Sequence, residues 1–141
     1  MRGCAVADPI TITVLGEPAP QGSKRHVGNG RMIESSAGVK PWRLAVVYAA
    51  REAGQRVAGA IQVEITFTLR RPPSAPKSRL FPDRKPDLSK LIRSTEDALV
   101  DAGTIDDDAR IVRLAVVKVF PGTHRFALDV PGAIIRIWEA R

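Results

Sequence analysis

The sequence predicts an α+β fold, a mixed sheet of about four strands with two main helices, and three stretches carry that prediction. From Ile61 to Leu69, apolar residues alternate strictly with Gln62, Glu64, Thr66 and Thr68, the period-2 signature of a strand with one buried and one polar face. From Leu88 to Leu99, Leu88, Leu91, Ile92, Thr95, Ala98 and Leu99 recur at i, i+3 and i+4, the spacing of an amphipathic helix. Two apolar runs, RIVRLAVVKVF and AIIRIWEA, follow as strands bounded by breaks at Pro121-Gly122 and Pro131-Gly132.

The remaining elements fall into place around these. ITITVLG (Ile10 to Gly16) alternates apolar and polar residues up to Gly-Glu-Pro and reads as a first strand. EPAPQGSKRHVGNGRMIESS is rich in Gly, Pro and Ser, an ordered loop in which Asn29-Gly30 is set for a tight hairpin. Pro41 suits a first helical turn, and PWRLAVVYAAREAG continues with Ala-rich spacing until Gly54 stops it. Arg70 to Pro86 is proline-rich and reads as a loop, and the second helix ends near Gly103. The order strand, helix, strand, helix, strand, strand has no internal repeat or linker, and helices on one face of the sheet fit it.

At 141 residues the chain is expected to form one domain over 1–141, with 1–9 as a loose N-terminus. Its composition, 44% hydrophobic and 26% charged, is that of a globular protein. No apolar run approaches the roughly 20 residues that cross a bilayer, and MRGCAVADP is too short for a signal peptide, so a cytoplasmic setting without membrane contact is expected. Cys4 is the single cysteine, and His26 and His124 lack metal-ligand spacing, which argues against a disulfide or a zinc site. A formal charge of +7 and a pI near 10.3 point to a polyanionic partner, nucleic acid before membrane.

The charge is segregated. Arg70 to Arg93 holds eight basic residues against Asp83 and Asp87, whereas Ser94 to Asp108 holds six acids (Glu96, Asp97, Asp101, Asp106, Asp107, Asp108) and no base. A solvated surface normally intersperses its signs. Cleaving a phosphodiester calls for such a juxtaposition, carboxylates for Mg²⁺ and cations to draw in the nucleic acid. Each acid also has an ordinary reading. Asp87 could be the N-cap of the second helix, and Asp106 to Asp108 a polar turn. Glu96 and Asp97 could pair with Lys90 or Arg93, and the basic loop could be a solvated face. Residue chemistry alone therefore reaches a basic α+β domain with a candidate carboxylate metal site.

The ordered set Lys85-Pro86-Asp87-Leu88, Leu91, Arg93, Asp97-Ala98-Leu99, Gly103, Asp107-Asp108-Ala109 and Ile111 resembles the RusA family of Holliday junction resolvases. That family's signature runs D-L-D-N-L-x-K after a basic residue, then D-A-L, then a D-D-x-x-V strand start. GEPAPQGSKRHV and KPWRLAVVYAA also resemble the loop and first helix of phage-borne members. The resemblance implies a RusA-like fold and a Mg²⁺-dependent endonuclease, with Mn²⁺ as a substitute. It implies a homodimer that nicks opposed strands of a four-way DNA junction symmetrically in recombination, repair or phage DNA processing. Two equivalent sites then meet a two-fold substrate. Carried over by position, Asp87 and Asp108 are metal ligands with Asp107 beside them. Lys24, Arg25, Arg70, Arg71, Arg84, Lys85 and Lys90 are candidates for contacting phosphates.

Two departures stand out. Ser89 occupies the place of the family's second aspartate, and Arg93 that of its lysine; arginine keeps the charge and clamps a phosphate but does not readily donate a proton. At about 100° per residue, Ser89, Arg93 and Glu96 share one helix face, opposite Leu91, Thr95 and Ala98. Glu96 is therefore a candidate to supply the carboxylate missing at position 89, directly or through water. The alternatives to an active resolvase are a relative of the same fold that binds branched DNA without cutting it, and an unrelated basic binding domain.

Overall fold

The computed structural model describes residues 8–22 and 37–140 in full, and 24–26 and 32–34 as backbone. Strand β1 (Ile10–Leu15) leads to a short hairpin of β2 (Lys24–His26) and β3 (Met32–Glu34), then helix α1 (Val39–Ala53). Strand β4 (Ile61–Thr68), helix α2 (Leu88–Asp101), a 3-10 turn (Asp108–Arg110), and strands β5 (Ile111–Val119) and β6 (Gly132–Glu139) follow. The order is the expected one, and the first loop carries the short hairpin that its Asn-Gly pair suggested. Asn29-Gly30 lies outside the described residues, although β2 and β3 pair antiparallel on either side of it. So do residues 1–7, most of the expected loose N-terminus.

The four long strands form one mixed sheet in the order β1-β6-β4-β5. β6 runs antiparallel to both β1 and β4, and β5 is parallel to β4. The parallel pair follows from α2, because parallel neighbours require a crossover connection. Ile12 and Val14 of β1, Ile61, Val63, Ile65 and Phe67 of β4, and Ala133, Ile135 and Ile137 of β6 meet Trp42, Val46 and Ala50 of α1 and Leu91, Ala98 and Leu99 of α2. Both helices thus cover the same face. α1 stops at Gly54, whose φ of 68° is left-handed and whose N–H donates to the Ala50 carbonyl.

Two polar side chains lock this layer. Trp42 Nε1 donates to Thr95 Oγ1 at 3.1 Å across the helix pair, and its ring centroid lies 6.3 Å from that of Phe67. Ser94 Oγ donates to the Ala19 carbonyl at 2.7 Å, which ties the loop after β1 to α2.

β4 departs from the expected polar face. Thr66 and Thr68 are buried, and Gln62 and Glu64 half-buried. The strand is internal to the sheet, and the segment after β5 folds over it, with Leu128 N–H donating to Thr68 Oγ1 at 2.9 Å. Where that segment enters β6, Gly132 passes so near β1 that a β-carbon would sit 2.2 Å from the Val14 carbonyl oxygen. Gly132→Ala must push backbone aside, and should cost about 1–3 kcal/mol as overpacking does. A urea midpoint indistinguishable from wild type would contradict this. β5 is an edge strand with Val112 and Leu114 exposed. Among the described residues no helix is long and apolar enough to cross a membrane.

Candidate active site

Asp87 is the N-cap of α2, with extended backbone and a carbonyl that accepts from the N–H groups of Lys90 and Leu91, each at 3.1 Å. Its carboxylate makes no capping bond and instead lies 3.9 Å from Lys90 Nζ. The side chain is therefore not committed to the cap. The residues before it are held to the far end of β5, where Lys118 Nζ donates to the carbonyls of Arg84 and Pro86 at 2.7 and 2.8 Å.

The aspartate triplet divides into three roles. Asp106 pairs with Arg56. Asp107 caps the 3-10 turn, accepting from Ala109 N–H at 3.0 Å. Asp108 opens that turn and its carboxyl shares a hydrogen bond with that of Asp107. The Ala109 N–H, then the bond from Asp108, hold Asp107 below the usual carboxylate range. The bond to Asp107 and then desolvation, with the charges of Asp107 and Asp97, hold Asp108 above it. Two neighbouring carboxyls with opposite shifts are a pair that resists double ionisation.

Glu96 faces this pair. It is half-buried, and its carboxyl is raised chiefly by that burial, then by Asp108 and Asp97, against a smaller pull from Arg93. Arg93 and Ser89 are exposed, while Leu91, Thr95 and Ala98 on the opposite side are buried, as the helical arithmetic requires. Asp97 acts on both Glu96 and Asp108, a role the sequence reading missed although the residue neighbours Glu96.

Asp87 is not among the groups acting on Asp108. α2 runs antiparallel to β5, so the last residues of the strand lie by the helix start, where Lys118 reaches Arg84 and Pro86, and the turn before the strand lies by Glu96 in the second half of the helix. Nine residues separate Asp87 from Glu96, about 13 Å along the axis. Among the described residues no three His, Cys, Asp or Glu side chains are gathered closely enough to hold a metal ion. The Asp107–Asp108 pair nonetheless suits Mg²⁺ chemically, because that ion takes hard oxygen ligands and commonly relies on one or two carboxylates plus water and substrate phosphate.

The basic loop is divided in the same way. Arg70 pairs with Glu17, and Arg71 donates to the Pro76 carbonyl at 2.7 Å while lying over the Phe120 ring. The first contact ties this loop to the one after β1, and the second braces the loop itself. Arg84 and Lys85 are exposed beside the helix start, with Lys90 one turn on. The side chains of Lys24 and Arg25 lie outside the described residues. On the sheet face away from the helices, Arg136 stacks on Phe126 and Trp138 and pairs with Glu64, and Arg125 lies over Phe126. The sequence reading did not single out this cluster, since its members lie far apart along the chain.

A basic α+β domain with a carboxyl pair at a strand start, arginines about it and a cationic loop leading into an acidic helix has the parts of a nucleic-acid hydrolase. The chain belongs to the RusA family, for a family model described as Endodeoxyribonuclease RusA matches residues 16–137. No curated protein matches it. Membership implies Holliday junction endonuclease activity, and the family acts on branched DNA junctions.

Proposed function

We propose that the protein is a divalent-metal-dependent endonuclease that resolves four-way DNA junctions by paired symmetric nicks, acting as a homodimer in DNA recombination, repair or phage DNA processing. The observation that carries this reading is the placing of Asp107 and Asp108 side by side in the 3-10 turn before β5, with Glu96 of α2 close enough to feel the charge of Asp108. In it Asp107 and Asp108 would hold Mg²⁺ or Mn²⁺, whereas Asp87, expected from the resemblance as a ligand, stands at the other end of the helix from Glu96 and is not assigned to the same ion. The cation supplies Lewis-acid polarisation of the phosphate and a more acidic water. Arg93 donates to two oxygens of a phosphate bidentately, and Arg84, Lys85 and Lys90 draw in the backbone. Lys24, Arg25, Arg70 and Arg71 belong to the same proposed footprint.

Incubation with a labelled junction, with and without Mg²⁺ or Mn²⁺, tests the reading through symmetric nicks that need the ion. Ser89, exposed where a carboxylate is expected, favours one alternative, a protein that binds branched DNA without cutting it. Tight binding without nicks in either metal would establish that alternative.

Glu96 gives a test with two signs. Its folded-state pKa is raised, so the protonated side chain adds stability below the ordinary glutamate range, and that stability is lost as pH climbs through the raised value. At neutral pH the charged form is disfavoured by burial and by Asp108. Glu96→Gln should therefore raise the thermal midpoint more at pH 7 than at pH 4. If Glu96 replaces the carboxylate absent at Ser89, the same change lowers nicking and weakens its Mg²⁺ dependence. Unchanged nicking and metal dependence would remove Glu96 from the chemistry.

A further inference from the structure

The loop between β4 and α2 presents two large apolar side chains to solvent, Leu80 at 67% and Phe81 at 60% exposure, six or seven residues before Asp87. The loop beneath them is tightly built. Ala75, Arg79 and Asp83 N–H groups donate to the carbonyls of Pro72, Pro76 and Phe81 at 3.0, 3.0 and 2.9 Å. Arg79 Nε donates to Asp83 Oδ1 at 3.0 Å, and the guanidiniums of Arg71 and Arg79 lie 4.6 and 5.5 Å from the centroid of the buried Phe120 ring. Phe120 fills the space under the loop, and Phe81 is left outside it. An aromatic held outward on a braced backbone loses little entropy on binding, which is how a preorganised contact gains affinity.

Its surroundings indicate the occupant. Leu80 and Phe81 line a depression of about 470 Å³ together with Arg71, Lys77 and Thr123. A two-fold contact between copies through this patch would bring like charges together. A nucleobase flanked by phosphates matches both halves of the surface, its π-face on the ring and its backbone against the cations. Bases inside a continuous duplex have both faces stacked, whereas those at a branch point can offer one.

We propose that Phe81, supported by Leu80, is a stacking platform for an unstacked base at the branch point of the DNA, and so reads branched shape. This rests on the junction-directed function proposed above and extends it to how the substrate is recognised. The test compares wild type, Phe81→Ala and Phe81→Trp, each checked for folding by circular dichroism, with Ca²⁺ in place of Mg²⁺. Affinities are measured for linear duplex and for a fixed junction carrying 2-aminopurine at the exchange point.

Wild type should raise 2-aminopurine fluorescence on binding, Phe81→Trp should quench it by contact with the indole, and both should prefer the junction. Phe81→Ala should lose the fluorescence rise and about tenfold of that preference, the scale of one base–aromatic stack, while binding duplex normally. Should wild type discriminate and Phe81→Ala do so equally, the platform is refuted and the junction-directed function stands. Should wild type show no preference for the junction, that function fails and the platform with it. Loss of dimers on sedimentation of Phe81→Ala would identify the patch as a surface between copies and overturn the proposal.

Discussion

Asp108→Asn is expected to lower nicking of a four-way junction by about a thousandfold, since a metal ion's charge stabilisation is several kcal/mol and each 1.36 kcal/mol is a factor of ten. The amide keeps the shape of the carboxyl and removes the negative charge it would offer to the metal ion. Binding should change little, because affinity for DNA rests on cations reaching phosphates. Denaturing gels of a labelled junction measure the nicks, and a mobility shift measures the binding. Asp106→Asn is the matched control, as Asp106 pairs with Arg56 on the surface and an exposed pair contributes at most about 1 kcal/mol. Nicking by Asp108→Asn within tenfold of wild type would place the chemistry elsewhere.

Trp42→Ala should cost about 3–5 kcal/mol of folding stability, the range for deleting a large aromatic from a core. Trp42 is 1% exposed, packs against Phe67, and carries the hydrogen bond that joins α1 to α2 through Thr95. Because total stability of a domain is commonly about 5–15 kcal/mol, the variant should be near its threshold at 37 °C. Trp42→Phe should lose less, chiefly the bond to Thr95. Urea unfolding followed by far-ultraviolet circular dichroism decides the matter, and a shift for Trp42→Ala under 1.5 kcal/mol would show that the helix pair does not depend on this side chain.

The sheet and both helices were legible because each long element carries a strong period. The alternation at Ile61 to Leu69 and the i, i+3, i+4 spacing at Leu88 to Leu99 both report a face turned to one core. The strands β2 and β3 are three residues each, too short for a period to register, so their hairpin was legible only from the Asn29-Gly30 turn pair between them. The coverage of Thr66 and Thr68 was invisible because it comes from a segment about 60 residues later, and local pattern does not encode such contacts. In the site, helical geometry correctly put Ser89, Arg93 and Glu96 on one side. The relation of Asp87 to Asp108 depends on which end of β5 meets the helix start, which follows from parallel pairing with β4. Likewise, nothing in the composition says that Arg70 and Arg71 are engaged by Glu17, Pro76 and Phe120.

The place of β6 in the sheet bears on how the protein is made. β6 follows every other described strand in sequence, yet it sits between β1 and β4, with Ile10 opposite Ile137 and Ile61 opposite Glu139. During synthesis β1 has no neighbour in the main sheet until more than a hundred further residues have left the ribosome. Such distant pairing is slow to form and leaves apolar strands uncovered meanwhile. A chain interrupted before Gly132 loses the centre of the sheet rather than its rim, and β1 is then cut off from β4. Translation that stops just short of β6 should thus yield an aggregation-prone fragment rather than a trimmed domain.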